Sequence, residues 1–247
     1  MKLTSRSLIT LAAMLAGAAA VAQTKAPEPD YTLAYNISAT TDYRYRGISQ
    51  TRLKPTLQGG ADFSHKSGLY LGAWGSGIKW IKDAGGDANV ELDFYGGYKG
   101  TAGSVGYDLG VLTYQYPSNK LNPSANTTEL YAAGTMGPAT LKYSHSVTNL
   151  FGFANSKNSG YLDLSASFDL GSGWSVAPHV GRQRVANNSI FSYTDYSVTV
   201  NKDIDGLVLS AAVVGTNAEE AAYTTTAAAG TKFLGKNGVV LSVKKNF

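Results

Sequence analysis

The chain has 247 residues, of which 28 are glycine, 16 tyrosine and none cysteine, and only 15% are charged. The missing cysteines exclude disulfide frameworks, thiolate metal sites and catalytic thiols, while the rest is too apolar for disorder and too rich in glycine and tyrosine for a helical protein. The formal charge of +4 includes Lys2 and Arg6, both in a segment expected to be removed, and the +2 that remains supports no nucleic-acid reading.

Residues 1–22 combine that basic start with an apolar stretch from Leu8 to Ala19 and the small-residue site Ala20-Val21-Ala22 before Gln23. This is the pattern of a signal peptide cleaved after Ala22, and its core is too short for a membrane anchor. Residues 23–30 then form a short periplasmic extension, and 31–247 are expected to form one outer-membrane β-barrel.

From Tyr31 onward apolar residues recur at every second position, as in strands with two unlike faces. Tyr31, Leu33, Tyr35, Ile37 and Ala39 open the series, Val90, Leu92, Phe94, Leu162, Leu164, Val198 and Val200 continue it, and Val239, Leu241, Val243 and Phe247 close it. Short turns are expected around His65–Gly68, Gly100–Ser104, Met136–Pro138, Leu170–Gly173 and Lys202–Gly206. Longer loops fall at Asp42–Pro55, Gly77–Ala88, Pro117–Ala125, Thr148–Asn158, Val185–Phe191 and Asn217–Asn237. Five short and six long connections in strict alternation predict an all-β, antiparallel up-and-down transmembrane barrel of twelve strands. Thr224–Leu234 carries an alternation of its own (Thr231, Phe233), but a thirteenth strand would leave the C-terminus on the wrong side.

Periodicity alone does not say which face meets lipid. Three features place the apolar face outside. The opposite face is small and polar with carboxylates at strand centres, unsuited to a dry core. Tyr43, Tyr45, Trp80, Tyr114, Tyr116, Tyr161, Trp174 and Tyr193 lie near strand ends, where interfacial girdles form. The chain also ends on Phe247 after an alternating strand, the form of an outer-membrane assembly signal, although Lys245 stands where that signal usually has an apolar residue.

The segment Asp42-Tyr43-Arg44-Tyr45-Arg46-Gly47-Ile48-Ser49-Gln50-Thr51, followed by Gln58-Gly59-Gly60-Ala61-Asp62 and His65-Lys66-Ser67-Gly68-Leu69-Tyr70-Leu71-Gly72, resembles the signature of the TorF family of Gcw_chp-type bacterial outer-membrane porins. The ending Gly235 to Phe247 is similar to that family's closing strand. The resemblance implies a barrel in the outer membrane of a Gram-negative bacterium, with a channel role.

Catalysis needs a base beside a nucleophile, and His65, His145 and His179 are the only histidines. His145 stands between Ser144 and Ser146, whose side chains point to the opposite face of a strand. His65 falls in a turn, and His179 reads as a lumen hydrogen-bonder. Glu91 and Asp93 share a face, as the lining of a pore would. Asp83 to Asn89 offers oxygen ligands without an EF-hand spacing, and no glycine run forms a phosphate cradle. No cofactor or metal is expected.

If Val90, Leu92 and Phe94 face lipid, the same parity sends Asp62, Glu91, Asp93, Asp108, Glu129, Asp163 and Asp195 inward. Lys142 and Lys244 face them, with Lys99 at the periplasmic rim and His179 on the polar wall. Arg182 and Arg184 fall on the outward parity, at the outer interface or at a bulge. Arg44 and Arg46, set between tyrosines after the first strand, suggest a constriction loop that pairs with lumen carboxylates such as Asp62. The other basic residues of the outer loops (Arg52, Lys54, Lys79, Lys82, Lys120, Lys157, Lys232, Lys236) would meet lipopolysaccharide or solvent. The expected function is passive diffusion of small polar solutes, with cations or zwitterions preferred. The expected partners are outer-membrane lipid, lipopolysaccharide and the barrel assembly machinery. A structural or adhesive barrel without an open pore is the main rival, and an outer-membrane hydrolase a lesser one.

Overall fold

The computed structural model describes residues 29–227 and 230–247. The expected signal peptide and most of the 23–30 extension lie outside the described residues. Twelve long strands follow: β1 (Tyr31–Thr40), β2 (Thr56–His65), β3 (Leu69–Gly77), β4 (Val90–Ala102), β5 (Val105–Gln115), β6 (Thr127–Met136), β7 (Ala139–Ser146), β8 (Gly160–Ala166, resuming as Phe168–Gly171), β9 (Trp174–Arg184), β10 (Tyr193–Ile204), β11 (Leu207–Thr216) and β12 (Gly238–Asn246). Each pairs antiparallel with its neighbours in sequence, and β12 pairs with β1, so the sheet closes. Closure is what hydrocarbon demands, because an open edge would strand a row of backbone N–H and C=O groups without water.

The connections alternate as their chemistry dictates. Residues 66–68, 103–104, 137–138, 172–173 and 205–206 make tight turns at one end, and all six longer connections lie at the other. Asp205 and Gly206 both have positive φ, 52° and 79°, the conformation of a two-residue hairpin whose twist matches its strands. The loop at 217–237 contains its own hairpin, Thr224–Ala227 paired with Gly230–Phe233. The alternation noted there is genuine, but its ladder partner is local, so the barrel keeps twelve strands.

Side chains obey the period of two. Leu33, Ile37, Leu164, Val198, Val213 and Leu241 stand exposed on the outer wall, while Glu91, Glu129 and Asp195 are buried inside it. One expectation fails. Tyr43, Tyr114, Tyr116, Tyr161 and Tyr193 are buried, and Tyr45 and Trp80 pack against a buried cluster built on Ile78, Ile81 and Tyr114. None of these seven belongs to a lipid-facing girdle: strand parity turns those on strands inward, and the loops fold over the mouth. The exposed aromatics are instead Tyr31, Tyr35, Phe94, Tyr98, Tyr143, Phe168, Trp174, Tyr196 and Phe247.

The seam between β1 and β12 is short. Its ladder runs from Asn36↔Asn246 to Thr40↔Ser242, and Phe247 extends it by donating its N–H to Tyr35 O at 2.9 Å. Deleting Phe247 removes that extension. The expected result is less heat-modifiable folded barrel after refolding, and unchanged folding would show that the seam closes without it. Val198 lies at the centre of β10 on the outer wall, so Val198→Arg is expected to cost about 2–4 kcal/mol of stability in lipid vesicles. Thr199→Arg, one residue away on the lumen face, should cost much less in the same urea titration.

Candidate functional site

The first long loop turns into the barrel. Arg44↔Ser49 and Tyr45↔Ile48 pair as a miniature hairpin whose tip residues, Arg46 and Gly47, have φ of 47° and 78°. Two successive positive φ values favour glycine at the second position. Space demands it as well, since a Cβ on Gly47 would collide with Thr216 and Asp195 of the barrel wall. The hairpin base is tied down by Asp42, whose carboxylate accepts from Ser49 Oγ at 2.6 Å and Thr51 Oγ1 at 2.9 Å and also takes Arg44 Nε. Arg44 reaches on to the Gly47 and Lys236 carbonyls, each at 2.9 Å. Ser49 donates its N–H to Leu234 O at 2.9 Å, joining the hairpin to the last loop.

This posture puts Arg46 inside the barrel wall at its long-loop end, against Glu129 of β6 and Gln183 of β9. Its guanidinium grips Glu129 through both carboxylate oxygens at 2.7 and 3.0 Å, and donates to Gln183 Oε1 at 2.7 Å. Its planar face lies over the rings of Tyr161 and Tyr45, 4.2 and 4.8 Å from their centroids. A bidentate, stacked site of this kind uses the full geometry of arginine, which lysine cannot reproduce. Beside it Tyr43 donates to Glu91 at 2.6 Å. Burial, reinforced by Glu91 and Asp93, raises the Tyr43 phenol well above its ordinary value, so it stays protonated and remains a donor.

Tyr45 and Arg46 line two cavities, one on each side. The first, of about 920 Å³, reaches Gly173, Asp203 and Asn246 at the short-turn end. The second, of about 430 Å³, lies among the long loops. The larger cavity follows one side of the barrel, where β9 to β12 and β1 contribute small polar residues such as Ser38, Ser175, Ser197, Thr199, Ser210 and Ser242. The opposite wall carries tyrosines whose hydroxyls satisfy carboxylates: Tyr95 donates to Asp62 and Tyr70 to Asp108, each at 2.5 Å. Glycine makes room for the rings, since a Cβ at Gly72, Gly97, Gly110 or Gly181 would run into Tyr95, Tyr70, Tyr131 or Tyr161.

The predicted residues thus separate into groups. Glu129 holds Arg46, with Tyr114 donating to it at 3.1 Å, and Glu91 holds Tyr43. Asp93 is buried nearby and its Oδ1 has no hydrogen-bond partner among the described residues. Asp163 and Asp195 flank His179 in the large cavity: His179 Nε2 lies 2.7 Å from Asp163 Oδ2 and its Nδ1 3.7 Å from Asp195 Oδ1, while Tyr161 donates to Asp195 at 3.0 Å. Lys142 caps the Tyr131 ring at 4.0 Å and, like Lys244, lines this cavity. Lys99 sits 3.8 Å from Asp108.

Two pairings differ from expectation. Arg46 takes the lumen carboxylate Glu129 and not Asp62, which is already bonded to Tyr95, and Arg44 pairs with no lumen carboxylate, taking Asp42 of its own loop and the carbonyls of the last loop. Gln183, the second hydrogen-bond partner of Arg46, escaped the sequence reading because an uncharged amide carries no signal of its own; its inward parity was the available clue. Arg182 and Arg184 are exposed on the outer wall, as strict alternation requires, with no bulge in their ladder; Arg182 donates to Thr194 and Arg184 to the Asn158 carbonyl, both at 3.3 Å. Asp83 is paired with Arg52 and Asp87 with Lys120, each at 2.9 Å. His145 meets Asn158 at 3.3 Å, and His65 caps its turn against Ser67 at 2.8 Å.

Glu129→Gln leaves the hairpin sequence intact and replaces a buried ionic grip by a neutral hydrogen bond. The lost charge assistance is worth about one tenfold step. Amide exchange of residues 44–49 should therefore accelerate by about that factor, while the centres of β5 and β6 keep their protection. Equal protection in both proteins would mean that the Asp42 and Leu234 bonds alone hold the hairpin.

A family model described as "Bacterial protein of unknown function (Gcw_chp)" matches residues 24–247. No curated protein matches the chain. Among solved structures, one described under "Unveiling the Mechanism Behind the in-meso Crystallization of Membrane Proteins" is similar at 6% identity with a TM-score of 0.52, over 87% of this chain and 83% of that one. The NanC porin matches at 8% identity and TM-score 0.49, over 87% and 98%. An outer membrane channel from Pseudomonas putida F1 matches at 14% and 0.41, over 88% and 94%. At these identities the likeness concerns fold alone. The family match spans the whole barrel, and the chain belongs to the Gcw_chp family of bacterial proteins.

Proposed function

We propose that the protein is a channel of the Gram-negative outer membrane for passive diffusion of small polar solutes, narrowed by the Arg44–Ser49 hairpin. The observation that carries this reading is the 920 Å³ polar cavity inside a wall whose exterior is apolar, with Arg46 between it and the long-loop end. Water belongs inside such a barrel and lipid outside it. The similarity of the opening motif to TorF-family porins supports the same role. His179, hydrogen-bonded to Tyr161 and Asp163, lines the same cavity as a lumen hydrogen-bonder. Phe247 is its assembly signal toward the barrel assembly machinery, and its outer-loop lysines face lipopolysaccharide, whereas Arg52 is buried against Asp83.

Small cations or zwitterions are the preferred solutes. In the large cavity Asp163, Asp195 and Asp203 stand against Lys142 and Lys244, because Arg46 is matched by Glu129 and Arg44 by Asp42. Charged rings in a narrow passage select the opposite sign, and salt screens the effect over about 10 Å at 0.1 M. The test is planar-bilayer recording of the refolded protein. Wild type should conduct with a reversal potential on the cation side of a salt gradient. Tyr45→Ala with Arg46→Ala should raise single-channel conductance, and Asp163→Asn with Asp195→Asn should move selectivity toward anions. Silence of all three proteins would instead favour a structural barrel, for which the filled half of the lumen speaks.

A further inference from the structure

The six long loops converge above Arg46 on the second cavity, of about 430 Å³. Ile48, Trp80, Leu121, Phe151, Phe191 and Tyr223 come from six different connections. Their rings brace one another edge to face: Trp80 on Tyr116 at 5.2 Å, Tyr45 on Phe151 at 5.6 Å, and Phe191 on Tyr223 at 5.8 Å. An apolar, concave, aromatic site of this size at the mouth of a barrel has the form of a small-molecule site.

Its polar atoms are unfinished. Of the five buried side-chain atoms without a hydrogen-bond partner among the described residues, Trp80 Nε1, Asp83 Oδ2 and Thr224 Oγ1 belong to side chains in this lining. Asp83 is about nine-tenths buried, and only its Oδ1 is engaged, by Arg52. An unmet buried polar group is unfavourable and calls for a partner. The charged residues of the lining are Arg46 and Asp83. Arg46 is committed to Glu129 and Asp83 is paired with Arg52 through Oδ1, so what is left to meet a ligand is an acceptor, the second carboxylate oxygen of Asp83.

We propose that this cavity binds small aromatic solutes that carry an amine, the ring entering the aromatic cage and the ammonium meeting Asp83, with a hydroxyl or carbonyl on the solute able to accept from Trp80. Naming the solute class rests on the channel reading above. The site would hold such solutes ahead of the Arg46 constriction.

Isothermal titration of refolded protein in detergent tests it, with tyramine as the probe. Tyramine should bind saturably, one per barrel, and more tightly than its anionic counterpart 4-hydroxyphenylacetate, while glucose should give no heat. Asp83→Asn should weaken tyramine by about tenfold, the weight of one charge-assisted hydrogen bond. Arg52→Gln breaks the same ion pair from outside the lining, leaves the Asp83 carboxylate to the ammonium, and should keep the affinity unchanged or raise it. Absence of saturable tyramine binding, equal affinity for the anion, or equal losses in the two variants would overturn the proposal. Binding by a barrel that never conducts would remove the channel reading and keep the site; conductance without binding would do the reverse.

Discussion

Every backbone N–H and C=O that crosses hydrocarbon must find its partner within the protein. The rest of this structure follows from that constraint. It closes the sheet by pairing β12 with β1, and it fixes the alternation of each strand, because a slip of one residue would expose the carboxylates to lipid and turn the leucines into the lumen. Once the wall is determined in this way, the interior must accommodate whatever the inward parity delivers.

What it delivers is an excess of carboxylates, and tyrosine is the answer over half of the barrel. Tyr43, Tyr70, Tyr95 and Tyr161 each donate to an acid. A phenol satisfies the oxygen without adding a positive charge and brings a ring that fills space. Arginine is used once inside the wall, where Glu129 and Gln183 are both within reach of a single guanidinium. The result is a lumen divided lengthwise, one wall packed with rings over glycines and the other lined with serines and threonines. A path for solutes therefore runs off the barrel axis, along the small side chains.

The wall was legible in the sequence and much of its filling was not. Val198 and Thr199, or Leu92 and Glu91, declare their faces through simple alternation, and the lengths of the connections order the strands. The same parity already pointed Tyr114, Tyr161 and Tyr193 inward, but tyrosine near a strand end has two physical homes, the lipid interface and a plugged lumen, and composition does not separate them. Arg46 was recognisable as a candidate because two arginines between tyrosines directly follow a strand. Its partner was not, since the choice of Glu129 over Asp62 depends on how far the hairpin reaches and on Tyr95 having taken Asp62 first. The local hairpin at Thr224–Phe233 shows the opposite ambiguity, a true strand pattern whose partner lies in its own loop.

The anchoring of the first loop also sets an order of events. Arg44 bonds to the Leu234 and Lys236 carbonyls, 190 and 192 residues away, and Arg46 closes on β6 and β9. Contacts of such separation form late, because the loss of chain entropy comes before the reward. The hairpin leaves the earliest strand, yet part of its anchorage, the Leu234 and Lys236 carbonyls, is present only once the final loop has arrived. The segment made first is thus among the last to be fully secured.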